Sequence, residues 1–488
     1  MMFHISDLKK YNRCKRMYCL DQFAEKRAYQ PFVRLDEQVS DLAAKKLGVE
    51  NAFTGTRGDD PDKALAAMDT HDWLIKARFE YDLLRVKVPF LHRHGDGWDL
   101  YFLFIGLYPH SNDMQFYCDT VWVLENLGIE LKNMYVIHLN GDYVRQDELD
   151  LDQLFIISDH FYNGKNHPTQ PVKDAVYRHM RDLRPLLHEM AKGMDKEPEP
   201  VRTSMCSGRQ KCRYYDGCFP EEAIQEDNSI LTLIGSQYRY DMKNEGRLYL
   251  RDADESRIEG SRLQYAQITA DRLGGLYCDK MAMQDWLSRL SYPITCIDFE
   301  WERYAIPPYP GMRPYDVLLF EYSIHIIQED GTIDHKVYLS IHDQREDFAR
   351  SLIRDIPKEG TVLAYNAEGA EKIRIAELAE IFPQYKEELL DINERMEDLQ
   401  LPFESGMVYD VRMRGQWSLK KIMAMMDDPG YQDLDIQQGM DAVFEWRRLD
   451  QAEELDENDP RVSQLKEYCG MDSYAMTVVL AWLKEISA

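Results

Sequence analysis

The feature that most constrains this chain is a set of acidic residues at the ends of predicted strands and helices in its C-terminal part. Asp298 and Glu300 end an apolar run that includes Ile294, Cys296 and Ile297. Side chains two residues apart on a strand point to the same face. Two carboxylates placed this way repel each other unless a cation lies between them. Taken alone, Asp-x-Glu is common and typical of a solvated strand end, so the pair gains weight only in combination.

A second part of the pattern lies near the C-terminus. Tyr468 and Asp472 fall on a helix predicted over residues 462–486. Residues four apart share one face of a helix. A phenol beside a metal-bound water can orient or deprotonate it, and Asp472 can ligate the metal. Tyrosine at helical spacing is usually a core residue, so this pair is also weak by itself.

The carboxylates combine into one predicted metal site. The strand predicted at Thr361–Tyr365 leads into a helix that begins near Glu371, and Asp398 is a further candidate. Oxygen ligands suit Mg²⁺ and Mn²⁺, and two such ions about 3.5–4 Å apart can clamp a phosphodiester during hydrolysis. Tyr468 is expected to orient or deprotonate the attacking water. The residues expected to hold the ions are Asp298, Glu300, Glu371 and Asp472.

In this order the residues resemble the DEDD superfamily of exonucleases, which have a ribonuclease-H-like fold and include proofreading and RNase D-like enzymes. Asp298-Phe-Glu300 matches the first motif, and Tyr468-Cys-Gly-Met-Asp472 matches the third motif of the tyrosine-type branch. The second motif departs from the family pattern. Asn366 is in place, but Ala370-Glu371 stands where Phe-Asp is usual, with one extra residue. Glu can ligate Mg²⁺ as Asp does, with a longer reach.

A closer resemblance covers nearly the whole chain. It is to a bacterial family of uncharacterised two-domain proteins that join a RecB-like, PD-(D/E)XK module to a DEDD-like domain. The resemblance implies a ribonuclease-H-like C-terminal domain, and it does not supply the substrate. The matching segments are Asp298-Phe299-Glu300, Tyr365-Asn366 with Glu371-Lys-Ile-Arg374, Asp398-Leu399, Gly415-Gln-Trp-Ser418-Leu-Lys420 and Tyr468-Cys469-Gly-Met-Asp472.

Four cysteines form the other constraint. Cys206, Cys212 and Cys218 follow one another with five residues between, and Cys14 lies far upstream, near Cys19. Four thiolates are the ligands that a [4Fe–4S] cluster needs. The pattern resembles CRISPR-associated RecB-like nucleases and iron–sulfur helicase–nuclease proteins, which use one early and three late cysteines. Structural zinc sites usually show Cys-x2–4-Cys pairs, so zinc fits less well; zinc and ordinary free cysteines are the alternatives.

The first domain lacks the residues with which RecB-like nucleases cut. In those enzymes an Asp on one strand precedes a Glu-x-Lys on the next. Here Pro89 stands at the Asp position, Phe102 and Phe104 stand at the Glu and Lys positions, and the usual helical Gln is absent near Asp119–Thr120. We expect a domain without nuclease activity that binds nucleic acid or a partner. Basic residues for this role, or for a merely solvated helix face, are Lys9, Lys10, Arg13, Lys15 and Arg16.

The chain divides into three predicted parts of a mixed α/β protein. They are a RecB-like Fe–S domain over 1–220, a mostly helical connector over 221–290 and a DEDD-type domain over 291–488. Periodicity in the first part predicts helices and strands: helices at 6–23, 113–128 and 170–194, and strands at 81–91, 97–108 and 133–145. In the last part it predicts strands at 294–299 and 361–365, a hairpin at 315–327 and 333–340, and helices at 343–355, 370–381 and 462–486.

Charge differs between the two halves of the chain. Residues 1–220 contain 30 Lys and Arg against 33 Asp and Glu, whereas residues 221–488 contain 29 against 53. A net charge of −27 argues against a broad basic surface for nucleic acid. The first half is better suited to grip nucleic acid, and the second approaches phosphates through bound cations. An acidic surface that only favours solubility is the alternative.

The compartment is predicted from what the sequence lacks. No apolar run reaches the ~18 residues that span a membrane, and the N-terminus has no signal-peptide core. We therefore expect a cytoplasmic protein without a membrane partner.

Together these patterns predict a metal-dependent nuclease. It would be a 3′–5′ exonuclease on DNA or RNA, acting at a single-stranded end, with the Fe–S domain positioning the substrate. The polarity comes from the resemblance alone. The alternative is a catalytically degenerate Fe–S module that binds nucleic acid or a protein partner in a repair or defence complex. The irregular second motif and the lost RecB residues favour the alternative, and the intact first and third motifs favour the enzyme.

Overall fold

The chain folds as two compact units, each built from helices and sheets, which confirms the predicted mixed α/β class. The computed structural model describes residues 2–24, 33, 39–193, 197–203, 205–206, 212–220, 226–258, 260–426, 430–436 and 438–488. The first unit comprises Met1–Pro220 with Arg303–Asp316, and the second comprises Glu221–Glu302 with Val317–Ala488. The assignment of the units as RecB-like and DEDD-type stays a prediction.

A mixed sheet forms the centre of the first unit. The strands of this unit are β1 (Phe3–His4), β2 (Ala52–Thr54), β3 (Trp73–Tyr81), β4 (Leu84–His94), β5 (Gly97–Phe104), β6 (Leu131–Leu139), β7 (Phe155–Ser158), β8 (His160–Tyr162) and β9 (Pro168–Pro171). The sheet runs in the order β2-β3-β4-β5-β6-β7, and β1 pairs in parallel with β4. The strands predicted at 81–91, 97–108 and 133–145 are thus confirmed as β4, β5 and β6, with their ends shifted by several residues.

The helices of the first unit correct two predictions. They are α1 (Ile5–Arg13), α2 (Lys15–Phe23), α3 (Val39–Lys46), α4 (Pro61–Ala67), α5 (Met114–Asn126), α6 (Leu151–Leu154), α7 (Val172–His179), α8 (Arg184–Ala191) and α9 (Tyr215–Cys218). The helix predicted at 6–23 is two helices, because Cys14 is extended, with φ −166° and ψ 115°. The helix predicted at 170–194 is also two, because Pro185 fits only at the start of a helix.

A five-stranded mixed sheet forms the centre of the second unit. The strands of this unit are β10 (Leu276–Cys278), β11 (Ile294–Arg303), β12 (Val317–Ile327), β13 (Ile333–Leu339), β14 (Val362–Ala364), β15 (Met396–Asp398) and β16 (Val408–Asp410). The order in the sheet is β13-β12-β11-β14-β15, and β10 pairs separately with β16. β11, β14 and β15 are parallel, whereas β12 and β13 form the predicted antiparallel hairpin.

Helices flank this sheet, and the longest belongs to its core. They are α10 (Arg239–Asn244), α11 (Arg262–Arg272), α12 (Lys280–Leu287), α13 (Arg345–Asp355), α14 (Glu371–Ile381), α15 (Lys386–Glu394), α16 (Leu401–Glu404), α17 (Leu419–Met423), α18 (Gly439–Leu449) and α19 (Pro460–Ser487). The described part of the predicted connector, 226–258 and 260–290, packs within this unit. Among the described residues, no helix is both long and apolar enough to cross a membrane.

The helix α19 is placed by its first residues and by its burial. The Asp459 side chain accepts the Arg461 N–H at 2.9 Å, and Pro460 occupies the first turn, where its missing N–H costs nothing. Buried residues recur on every side of the helix, as in a helix inside a core. α19 therefore lies against the sheet, where Cys469 and Ser473 reach Asp298 on β11 and Ser323 on β12.

Candidate functional site

The acidic residues predicted to act together meet in the second unit. Asp298, Glu300 and Asp472 each offer a carboxylate oxygen, and these three atoms all lie within 4.8 Å of one another. Asp298 and Glu300 are half-buried, and Asp472 is 9% exposed. Three ionised carboxylates this close repel one another, so the group is stabilised by taking up protons or by binding a cation.

The backbone explains this meeting. On β11 the side chains of Ile297 and Phe299 are buried in the sheet core, so the intervening Asp298 and Glu300 point to the opposite face. α19 crosses that side and brings Asp472 to them. The Cys469 thiol, one turn before Asp472, lies 3.7 Å from an oxygen of Asp298. The packing of α19 on this side thus brings Asp472 next to two carboxylates that are distant from it in the sequence.

The three carboxylates perturb one another. Burial, followed by repulsion from Asp472 and Glu300, raises the pKa of Asp298 well above its usual value. Burial, followed by Asp472, also raises the pKa of Glu300, against the attraction of Lys420. The pKa of Asp472 is raised by burial, with hydrogen bonding from Tyr431 opposing the shift. Burial and mutual repulsion therefore disfavour the ionised form of all three carboxylates.

Glu371 lies beside the three carboxylates and is more deeply buried. It is the first residue of α14 and 3% exposed, and its Oε2 has no hydrogen-bond partner among the described residues. Burial raises the pKa of Glu371 to about 8, with repulsion from Asp398 and Asp472 added. Its oxygens lie outside the group in which all ligand atoms are within 4.8 Å. A buried carboxylate oxygen without a donor is costly, so Glu371 is suited to a cation ligand.

Asp398 and Asn366, from the second predicted motif, shape the turn before α14. Asn366 adopts the left-handed conformation with φ 67°, which Asn tolerates better than most residues. The Asp398 carboxylate accepts the backbone N–H groups of Asn366 at 3.0 Å and Gln400 at 2.8 Å. Asp398 thus has a structural role that the sequence did not indicate.

Tyr468 belongs to a group that the sequence showed only in part. Its hydroxyl accepts a hydrogen bond of 2.9 Å from Lys420, whose ammonium also lies 4.6 Å from the Tyr468 ring and 4.9 Å from the Tyr431 ring. The Tyr431 hydroxyl donates to Asp472. The sequence analysis placed Lys420 in the segment Gly415–Lys420 but gave it no role, and no sequence pattern pointed to Tyr431. Both bring polar hydrogens to the edge of the carboxylate group.

A further carboxylate, which belongs to none of the sequence motifs, lies close enough to Glu300 to affect its pKa. Glu321 on β12 is fully buried, and neither of its oxygens has a hydrogen-bond partner among the described residues. Burial raises the pKa of Glu321 well above its usual value, and its charge in turn contributes to the raised pKa of Glu300. The sequence analysis did not identify Glu321 as part of this group, because a single Glu in an apolar strand has no local signature.

The four cysteines predicted as cluster ligands share one cavity in the first unit. Cys14, Cys206, Cys212 and Cys218 all line it, and all are half-buried free thiols. Cys14 lies between α1 and α2, where the chain turns, and its side chain lines the cavity. Among the described cysteines, no three sulfur atoms lie mutually within 4.8 Å. Cys19 lies on α2, outside this lining.

Polar contacts tie the N-terminal helices to the segment that carries the later cysteines. Asp21 on α2 accepts hydrogen bonds from Tyr214 at 2.8 Å and from Arg213, and it pairs with Lys10 at 2.8 Å. Although burial raises it, these donors hold the pKa of Asp21 below its usual value. The two chain segments that supply the cysteines are thus joined independently of any cluster.

The basic residues predicted to contact nucleic acid near the cysteines are mostly neutralised. Each of four cations in this set contacts a carboxylate: Lys9 with Asp113, Lys10 with Asp21, Lys15 with Glu189 and Arg16 with Glu197. Arg13 lines the cysteine cavity. These cations of α1 and α2 are paired with carboxylates of the protein itself, so the two helices offer little positive charge for binding nucleic acid.

The positions that the sequence analysis compared with catalytic residues of RecB-like nucleases are apolar and packed. Phe102 on β5 is fully buried, and its ring lies 4.7 Å from that of Tyr117 and 5.8 Å from that of Phe116. Pro89 is also buried. Asp119 on α5 is 2% exposed and accepts a hydrogen bond of 3.2 Å from Gln115. This face of the sheet is a hydrophobic core.

Comparison with known proteins adds one likeness. The sequence model of a family described as a domain of unknown function, DUF2779, matches residues 295–418. The matched span contains Asp298, Glu300, Glu371 and Asp398 and ends before α19. No curated protein and no solved structure matches the chain.

Proposed function

We propose that the second unit is a metal-dependent phosphodiesterase of the DEDD type that shortens a nucleic-acid strand. The observation that carries the proposal is the meeting of Asp298, Glu300 and Asp472 within 4.8 Å. The buried Oε2 of Glu371 beside them, which has no hydrogen-bond partner among the described residues, is a second observation that fits a cation ligand. The 3′–5′ polarity and the single-stranded end come from the resemblance to DEDD exonucleases.

The residues fit Mg²⁺ or Mn²⁺. All four side chains offer oxygen, which these ions prefer, and their negative charge exceeds what Lys420 can offset. Asp298, Glu300, Asp472 and Glu371 would hold two ions. Divalent ions bound there would offset the charge of a phosphodiester and make a water more acidic.

The other side chains position the reactants. The Tyr468 hydroxyl accepts from Lys420 and keeps its own proton, so it can donate to a water or to a phosphate oxygen. Lys420 also places a positive charge beside the carboxylates, where a phosphodiester would bring more negative charge. Tyr431 fixes one oxygen of Asp472 by donating a hydrogen bond.

We also propose that the four cysteines hold a [4Fe–4S] cluster that fastens the N-terminal helices to the end of the first unit. The shared cavity supports four ligands on one group. Structural zinc sites usually use Cys-x2–4-Cys pairs, whereas five residues separate Cys206 from Cys212 and Cys212 from Cys218, so the spacing favours a cluster.

A binding module without catalysis is the second candidate, and one observation favours it for the first unit. The buried Phe102 and Pro89 leave no acidic residue at the positions expected of a RecB-like nuclease. In this view the protein binds nucleic acid or a protein partner and cuts neither.

Cleavage assays test the nuclease proposal. Anaerobically purified protein is incubated with labelled single-stranded DNA and RNA, with Mn²⁺ or with EDTA. We expect stepwise shortening of one or both polymers only with Mn²⁺, and none with Asp298→Ala. The matched control Asp285→Ala, an exposed carboxylate paired with Arg289, retains activity. A folded wild-type protein that cleaves neither polymer would favour the binding module.

Metal analysis tests the cluster proposal. The wild-type protein is expected to contain about four irons and to absorb visible light, and Cys212→Ala is expected to lose both. Cys19→Ala, which alters a cysteine outside the cavity, keeps them. Zinc in place of iron, or equal iron in the Cys212→Ala protein, would contradict the assignment.

A further inference from the structure

We propose that the outer face of β3 and β4 in the first unit binds the phosphates of a nucleic-acid strand. The centre of this surface is the cross-strand pair of Arg78 and Lys87. The inference rests on the proposed function, because it assigns where the substrate of that activity is held. We call the surface the cationic ladder and define it as Arg57, Lys76, Arg78, Arg85 and Lys87.

The strand pairing puts two positive charges side by side. Ala77, Phe79, Val86 and Val88 are buried, so the residues between them on each strand point away from that core. Arg78 and Lys87 are direct partners across the two antiparallel strands. Side chains in such a pair start about 4.5–5.5 Å apart at Cβ, and like charges there are destabilising.

Neighbouring charges increase the repulsion. Burial, followed by repulsion from Arg78 and Lys76, lowers the pKa of Lys87. Burial, followed by repulsion from Arg85, also lowers the pKa of Arg78, although Asp59 acts in the opposite direction. The repulsion is offset only in part, by Asp59 and by the hydrogen bond that Arg78 donates to the Lys76 carbonyl.

The nearby carboxylates are used by other cations. Glu80 pairs with Arg85 at 2.8 Å, Asp59 with Lys63 at 3.0 Å and Asp41 with Lys76 at 3.3 Å. In the part of the chain that the structure describes, no carboxylate comes within ion-pair distance of Arg78 or Lys87. Within the ladder, Lys76 and Arg85 are therefore paired, and the contrast with the paired cations of α1 and α2 concerns the central Arg78 and Lys87.

The arrangement fits a polyanion. Arg78 and Lys87 lie opposite each other, and Lys76 and Arg85 lie two residues from them on β3 and β4. Successive phosphates of one strand can contact these cations, and Arg can hold a phosphate with two parallel hydrogen bonds. The surface has the charge that the second unit lacks, since the acidic site there repels phosphates.

Binding of a labelled single-stranded oligonucleotide to the full-length protein tests the surface. Affinity is measured by fluorescence anisotropy in EDTA over a range of salt concentrations, so that cleavage plays no part. Each phosphate contact on a single strand contributes about 0.7 to the slope of log affinity against log salt. We expect Arg78→Gln with Lys87→Gln to reduce the slope by about 1.4 and to weaken binding roughly tenfold at moderate salt.

Two further variants separate binding from folding. Lys9→Gln with Lys15→Gln removes the same charge from ion-paired positions and is expected to leave the slope unchanged. Lys87→Glu creates an ion pair with Arg78, so its thermal midpoint should rise while binding weakens. A merely structural pair would not move stability and affinity in opposite directions.

The outcomes distinguish this inference from the proposed function. Wild-type slope and affinity in the Arg78→Gln, Lys87→Gln protein would show a solvated basic face only and overturn the inference, whatever the cleavage assay gives. Ladder-dependent binding by a protein that does not cleave would support the inference and contradict the nuclease. Absence of any binding by the wild-type protein would overturn it as well.

Discussion

Strand β11 carries three carboxylates at alternate positions, and they have opposite environments. Asp298 and Glu300 face the carboxylate of Asp472, with the three ligand atoms within 4.8 Å of one another. Glu302, two residues further, is fully buried and held by Arg447 of α18 through both carboxylate oxygens. A paired buried carboxylate stabilises the fold as found, whereas an unpaired group destabilises it. The difference indicates which carboxylates serve the structure and which are kept for a ligand.

The same contrast appears in the first unit with the opposite sign. The cations of α1 and α2 are matched with carboxylates, while Arg78 and Lys87 face each other without one. The described residues thus include an unmatched group of carboxylates in the second unit and an unmatched pair of cations in the first. Net charge alone does not reveal this, because it sums over matched and unmatched groups.

The largest expected effect concerns the matched carboxylate. Glu302→Gln leaves Arg447 buried with a weakened partner, so the free energy of unfolding should fall by about 3–5 kcal/mol. Urea unfolding of the second unit measures it, with the exposed pair Asp285→Asn as the control that changes little. An unchanged stability would break the comparison along β11.

Asp119, a buried carboxylate that accepts a hydrogen bond from the neutral amide of Gln115, should behave in the opposite way. Burial raises the pKa of Asp119 to about 6. Because this exceeds the unfolded value near 3.8, its contribution to stability is fully present below about pH 4 and is lost as the pH rises through about 6. Asp119→Asn is therefore expected to stabilise the protein by about 2–3 kcal/mol at pH 7 and by nothing below pH 4. Unfolding curves at both pH values provide the measurement, and equal gains at both would contradict the assignment.

The next effect tests the contacts around Tyr468. Lys420→Met removes the donor to the Tyr468 hydroxyl while keeping the length of the side chain. We expect kcat to fall tenfold to a hundredfold with little change in KM, which corresponds to about 1.4–2.7 kcal/mol of barrier. Lys421→Met, one residue further on α17, is the matched control. A change confined to KM would assign Lys420 to substrate binding instead.

The smallest effect concerns stability of the unmatched carboxylates. Asp298→Asn relieves repulsion from Glu300 and Asp472, so the metal-free protein should gain about 1–2 kcal/mol. Mn²⁺ should then raise the thermal midpoint of the wild-type protein but not of the variant, because ligands stabilise only a state that they bind. Equal shifts with Mn²⁺ in both proteins would remove Asp298 from the metal site.

Much of the local structure could be predicted because it follows from short-range periodicity. The hairpin of β12 and β13 and the helix α19 lie close to their predicted positions. The one-face arrangement of Asp298 with Glu300 followed from the strand repeat. The break at Cys14 was missed, since a single extended residue between two helical stretches leaves no mark on the hydrophobic pattern.

Other parts of the molecule depend on contacts between distant residues. Arg303–Asp316 belongs to the first unit although it follows β11 in the chain; there the Tyr315 hydroxyl donates to the Ile105 carbonyl at 2.8 Å. Lys420 and Tyr431 approach Tyr468 and Asp472 only because α17 and the segment after it pack on α19. No local pattern encodes such approaches.

The sequence by itself determined which residue types are present and which faces of strands and helices they occupy, because side-chain direction repeats with fixed period along each element. The sequence also contains four cysteines and four carboxylates in an order that resembles known nuclease families. Only the tertiary structure decided which charges are matched. Asp298, Glu300 and Glu302 are equivalent in the strand repeat, and the position of Arg447, 145 residues from Glu302, makes the third of them structural and leaves the first two open to a ligand.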